Sequence, residues 1–282
     1  MAVTLNNGDY SAIISTFGAE LIAFNKKGKN YIWTKDEKYW NKTSPVLFPI
    51  VGQLKNNSYQ INSNNYKMFR HGFARDFEFE IINQTENVVT LLLTENQETY
   101  RNYPFKFDLN ICYTLHESEL KIEYIVKNES QIKMPFSIGA HPAIALNYDI
   151  ENYDLQFIDD DFLENYKLQN GLLSDKKEQI VLHKNMLNLN NELFKDDALV
   201  FKKIKSTSVT ILENNKPYLR IQLEKFPNLG IWTKNNAPFL CLEPWFGYAD
   251  TVHANGNIYE KEGIQILEPN ATFKTHFSLE IL

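Results

Sequence analysis

Leu120-Lys121-Ile122-Glu123-Tyr124-Ile125-Val126 alternates in character, with Leu120, Ile122, Tyr124 and Val126 at even positions and Lys121 and Glu123 between them. Successive side chains of an extended chain point to opposite sides, so this spacing puts the apolar set on one face and the two charges on the other. The stretch predicts a half-buried strand. Short runs of similar β-branched and aromatic content recur at Ser11–Ser15, Glu78–Ile82, Val88–Leu93, Phe107–Thr114, Ser208–Leu212 and Leu219–Leu223, and clusters of Asn, Gly, Asp and Lys separate them. Helical spacing is confined to short pieces near Asp36–Trp40 and Asn191–Phe194. Strands joined by turns, with no long helices between them, argue against a parallel α/β sheet and for an all-β antiparallel sandwich or barrel. No fixed-period repeat or proline-rich linker divides the chain, so residues 1–282 read as a single domain.

Composition narrows the function. At 282 residues and 43% hydrophobic the chain can bury a large core, and its net charge of −6 gives no general attraction for nucleic acid or anionic membranes. The segment Met1-Ala2-Val3-Thr4-Leu5-Asn6-Asn7-Gly8 lacks the charged and apolar regions of a secretion signal, and no later segment is apolar for long enough to span a bilayer. A cytoplasmic location is expected. Cys112 and Cys241 are the only cysteines, too few for a disulfide framework or a cysteine-rich metal site, and two free thiols are expected.

Three segments carry chemistry. In Phe69-Arg70-His71-Gly72-Phe73-Ala74-Arg75, which follows a candidate hairpin through Asn62-Ser63-Asn64-Asn65, an extended backbone would project His71, Phe73 and Arg75 from one face. Such a face suits a polyhydroxylated ligand; the plainer reading is a structural histidine and a rim arginine. In Met134-Pro135-Phe136-Ser137-Ile138-Gly139-Ala140-His141-Pro142, alternation groups Ser137, Gly139 and His141 opposite Phe136, Ile138 and Ala140. Pro142 disfavours helix at His141 and holds the imidazole on extended backbone. In Phe239-Leu240-Cys241-Leu242-Glu243-Pro244-Trp245-Phe246-Gly247-Tyr248-Ala249-Asp250, an apolar strand would carry Glu243 among Phe239, Cys241 and aromatic rings. A carboxylate there is costly unless it has partners or a task; otherwise it marks where a strand emerges into solvent.

Together the segments resemble the aldose 1-epimerase (galactose mutarotase) family, and especially its LacX-type branch, in order and in wide spacing. Ser44-Pro45-Val46-Leu47-Phe48-Pro49-Ile50-Val51-Gly52 and the Gly18-Ala19-Glu20-Leu21 turn agree as well, so the resemblance runs from Phe17 to Asp250. It implies a large twisted β-supersandwich that holds a sugar in an open cleft, without a cofactor or metal. Carried over motif by motif, it implies His141 as general acid, Glu243 as general base and His71 as a second donor near the ring oxygen. One base and one acid suffice to exchange anomers: O1 loses a proton while O5 gains one, the ring opens, C1–C2 rotates and the ring recloses. With ordinary pKa values of about 4.3 and 6.5, a carboxylate suits the first task and a histidinium the second.

Trp232 and Phe246 are expected to pack on the pyranose C–H face, though core packing accounts for either, and Arg75 is expected to bond hydroxyls. Gln53 stands where the family commonly has a basic residue after the glycine, which bears on the sugar rather than on the chemistry. Alternation would turn Arg70 away from Arg75, and Arg101 would pair with nearby acids, so a neutral sugar is expected. Two other functions fit the same residues: a hexose-6-phosphate mutarotase, and a carbohydrate-binding or regulatory protein without catalysis. A zinc hydrolase would need a metal held by the two histidines and Glu243, and no His-Glu-x-x-His segment is present. Preferred sugar and oligomeric state are not legible.

Overall fold

The computed structural model describes residues 1–282 as 25 strands, one α-helix at Gln97–Asn102 and five short 3₁₀ turns. Every pairing between these strands is antiparallel. The deciding stretch lies inside the strand Glu119–Asn128, where Leu120, Ile122, Tyr124 and Val126 are buried and the residues between them are half-buried. It pairs with Phe107–His116 on one side and Thr272–Ile281 on the other, so it occupies the middle of a nine-stranded sheet.

A second sheet orders Leu172–Val181, Phe162–Gln169, Leu199–Lys202, Asn228–Trp232, Phe239–Phe246, Ile138–Ala140 and Val46–Leu47 from edge to edge, with Ala143–Ala145 also pairing to Phe239–Phe246. The two sheets share a core of 65 buried residues running from Val3 to Ile281. A four-stranded sheet at the N-terminus joins this core through Tyr113, whose hydroxyl donates to the Ala19 carbonyl at 2.8 Å. The architecture is all-β, as the pattern predicts, and is the large antiparallel β-sandwich that the resemblance implies.

Phe239–Phe246 is buried on both faces, and that decides where the site lies. Leu240 and Leu242 enter the main core, whereas Phe239 and Cys241 join a separate cluster with Trp33 and Ala143, and Trp245 joins another with Leu47, Val51 and Leu173. Glu243 shares the face of Phe239, Cys241 and Trp245. The second sheet therefore has one face on the core and the other under a cleft.

Several local expectations differ from the fold. The helix Gln97–Asn102 follows a capping box in which Asn96 accepts from the Glu98 and Thr99 N–H groups and Thr99 Oγ1 accepts from the Asn96 N–H. Asp36–Trp40 is a turn closed by a bridge between its ends, and Asn191–Phe194 is a single 3₁₀ turn. The hairpin through Asn62-Ser63 is present, joining Ser58–Ile61 to Asn64–Lys67.

Candidate active site

A cleft of about 430 Å³ opens on the outer face of the second sheet, a volume suited to one small ligand. His71, His141, Glu243, Arg75 and Trp232 all line it, so five of the six site residues expected from sequence converge. The sixth does not. Phe246 falls on the opposite face of its strand, its ring centroid 5.0 Å from both Phe226 and Phe273, and packs into the core. It lies an odd number of residues from Glu243, and alternation sends it inward.

His141 Nε2 lies 3.3 Å from Glu243 Oε2, and both residues are buried, 8% and 2% exposed. Glu243 Oε2 and His141 Nδ1 have no hydrogen-bond partner in the protein. Burial disfavours charge on each: it drives the Glu243 carboxyl well above its usual range, with Asp197 adding to the effect, and pulls His141 down to about 3. The direction for the pair is toward the neutral forms, with a single proton held on the carboxyl.

His71 arrives by a different route from the one its sequence suggests. Residues 69–75 do not run as a strand: His71 and Gly72 both have φ of +70°, and Ala74–Asp76 is a 3₁₀ turn. A Cβ at Gly72 would lie 2.2 Å from the Phe48 carbonyl oxygen, so only glycine allows this close crossing. The turn sends Phe73 into the core against Phe48 and Phe107. His71 Nδ1 accepts from the Gly52 N–H at 3.2 Å, and burial beside His141, Arg75 and Arg70 keeps the ring neutral. A neutral imidazole accepting at Nδ1 carries its proton on Nε2, so His71 can offer the cleft only a donor.

The same turn corrects the expectation for the arginines. Arg70 lines the cleft with Arg75 instead of facing away. Arg75 Nη2 donates to the Arg70 carbonyl at 2.8 Å, and Nε lies 3.7 Å from Asp76 Oδ2 without a hydrogen-bond partner. The Arg70 guanidinium makes one hydrogen bond, from Nη2 to the Gln53 side-chain oxygen at 3.3 Å. Lys234, also at the cleft, donates to the Lys38 and Tyr39 carbonyls and clasps the loop that carries Trp40.

Trp40 escaped the sequence reading. Its ring lies 4.8 Å from that of His141 at an interplanar angle of 30°, and Trp232 meets His141 edge-on at 5.7 Å. Both are apolar walls beside the acid–base pair. Asp197, at φ +126° with its carboxylate accepting from the Ala198 N–H, was missed too; nothing in its local sequence marks it.

Glu20, from the N-terminal turn, acts at a distance. Burial alone would raise its carboxyl, but N–H groups of Thr43 and Ser44 donate to Oε1 at 2.7 and 3.0 Å and hold it below its usual range. The segment leading to Val46–Leu47 is thereby fixed.

His141, Cys241 and Glu243 also place three metal-ligand atoms within 4.8 Å of one another. The set differs from the two-histidine site considered from sequence: Cys241 belongs to it and His71 does not. Burial, with Glu243 nearby, pushes the Cys241 thiol well up.

Comparison with known proteins bears on the family and the fold. The family model for aldose 1-epimerase matches residues 1–280. The chain is 32% identical over 298 aligned residues to the chromosomal LacX protein of Lactococcus lactis subsp. lactis, all of both chains being covered. Among solved structures, a galactose mutarotase related enzyme from Lactobacillus acidophilus superposes with a TM-score of 0.95 at 30% identity, covering 100% of this chain and 97% of the other. A galactose mutarotase-like protein from Lactobacillus casei ATCC 334 gives 0.93 at 26% identity, with both chains fully covered.

Proposed function

The chain belongs to the aldose 1-epimerase family, and on that premise we propose that it interconverts the α and β anomers of a hexose by opening and reclosing the ring. The observation that carries this reading is the buried His141–Glu243 pair at 3.3 Å, with the donor His71 beside it in a cleft of sugar size. O1 and O5 are bonded to the same carbon, so the acid and the base must converge on one point. Glu243, ionised, takes the O1 proton; His141, protonated, gives its proton to O5. The C1–O5 bond breaks as C1=O1 forms, C1–C2 rotates, and the reverse transfers close the ring on the other face.

One proton shared by the pair is enough for every step. Burial favours it on the carboxyl, and passing it to His141 creates base and acid together. His71 steadies the developing charge on the ring oxygen through Nε2–H. Trp40 and Trp232 cover the apolar sugar face. Cys112 and Cys241 stand unpaired, in keeping with a reducing, cytoplasmic setting.

The test is anomer exchange followed by polarimetry or NMR. Glu243→Gln and His141→Asn are each expected to slow it by at least ~10²-fold while the fold survives, and exhaustive chelation is expected to leave it intact. A folded variant with undiminished exchange removes that residue from the mechanism; stoichiometric zinc on these side chains overturns the acid–base reading. Native protein that binds sugars without accelerating exchange is a binding protein instead.

Arg70 favours a second reading. Its guanidinium faces the cleft with Gln53 as its only partner, and arginine suits an oxyanion. Specificity constants for glucose, galactose and their 6-phosphates decide between the two. A preference for the phosphates above about tenfold, or ~1.4 kcal/mol, lost in Arg70→Gln, identifies a hexose-6-phosphate mutarotase. Equal or better use of the free sugars identifies a neutral substrate.

A further inference from the structure

Glu243 and Trp245 stand two residues apart on Phe239–Phe246, so both side chains rise from its cleft face, and both line the cleft. The neighbouring strands are cut away beneath the indole. Gly139, paired with Trp245 on one side, would carry a Cβ 2.5 Å from indole Cδ1. Gly230, paired with Glu243 on the other side, would carry one 2.4 Å from Cη2. No side chain fits at either place without displacing the ring, so the two glycines form a slot that sets the position of the indole in the sheet plane.

Trp245 is 5% exposed, and its Nε1 has no hydrogen-bond partner in the protein. Glu243 Oε2, on the same face, has none either. An indole offers one N–H and can only donate; an ionised carboxylate can only accept. A buried donor and a buried acceptor left unpaired each cost free energy, and such orphans in a native fold call for a task.

We propose that Trp245 is a positioning residue for Glu243: its indole N–H donates to the carboxylate when Glu243 ionises, and turns the other oxygen toward the sugar. The slot between Gly139 and Gly230 exists to hold that donor still. The catalytic consequence rests on the mutarotase reading, whereas the contact itself does not. Among the groups acting on Glu243, burial is the largest and opposes ionisation, Asp197 adds to it, and Arg70 and the Trp245 N–H act in the opposite sense.

Protein with ¹⁵N-labelled tryptophan gives four indole N–H signals, one per Trp in the chain, and the signal missing in Trp245→Phe is assigned to Trp245. The expectation is that this signal moves downfield as pH rises, and that the movement disappears in Glu243→Gln. A Trp245 signal that stays put, or that titrates equally in Glu243→Gln, overturns the proposal whether or not the protein is a mutarotase. In the kinetic arm, Trp245→Phe keeps the aromatic surface and removes only the donor. Its exchange rate is expected to fall at least tenfold, with the alkaline limb of the pH–rate profile, where the pair loses its one proton, displaced upward by about one unit. A change confined to KM, with the profile unmoved, assigns the N–H to a sugar hydroxyl and also overturns the proposal. Gly230→Ala, which displaces the indole without altering it, is expected to reproduce the kinetic effect.

Discussion

At the scale of single residues, this cleft keeps two ionisable groups where neither is at ease. Glu243 has a folded pKa raised by burial, so its contribution to stability is complete below the unfolded value of about 4.5 and is lost as pH rises through the folded one. His141 has the opposite shift: its contribution is present above about 6.5 and is lost as pH falls toward about 3. Replacing Glu243 with Gln removes the first loss. Thermal melts of Glu243→Gln are therefore expected to exceed the native protein by a few degrees at pH 8, roughly 2–4 °C for each kcal/mol in a chain of this size or somewhat smaller, with the gap closing toward pH 4.5. A gap that is absent at pH 8, or that widens on acidification, contradicts the raised carboxyl. The same residue would then be shown to serve catalysis without opposing the fold.

At the scale of elements, the strands were legible and the turns that aim the site were not. Phe107–Thr114 is extended by two residues in the structure and keeps its alternation, whereas Ser208–Leu212 is extended by one and is buried on both faces. Residues 69–75 also alternate on paper, yet their backbone turns at His71 and Gly72. No pattern of side-chain character reports a left-handed backbone, and the glycine itself was the one available sign. Gly72→Ala is expected to cost at least ~2 kcal/mol in urea unfolding, since a left-handed alanine alone costs about 1–2 kcal/mol and its Cβ would meet the Phe48 oxygen. Gly8→Ala is the control, at φ +59° with nothing within 4 Å of the added Cβ, and should show only the conformational part. Equal losses in the two would mean that the crossing over Phe48 is not what holds His71. The helix Gln97–Asn102 was likewise announced only by its cap, Asn96 with Thr99 three residues on, a signal shorter than any periodicity.

At the scale of the whole molecule, the N-terminal sheet, the nine-stranded sheet and the cleft-bearing sheet are tied into one another. Asn6 donates to the Glu86 carbonyl at 2.9 Å, and Glu20 fixes Thr43 and Ser44 ahead of the strand Val46–Leu47. We infer that residues 1–282 fold as one domain. Melting followed by far-ultraviolet dichroism and by tryptophan fluorescence is expected to give one coincident transition; an early step seen by one probe alone would divide the chain. The sequence by itself determined the all-β architecture, because period-two burial is written in side-chain character, residue by residue. It also determined which acids and bases were candidates, since their motifs are contiguous. Only the tertiary structure decided that Phe246 serves the core, that Arg70 reaches the cleft, that Trp40 walls it and that Trp245 lies over two glycines beside Glu243. Those facts depend on which strands become neighbours and where the backbone turns, and hydrogen bonding across more than a hundred residues of chain leaves no local trace in composition.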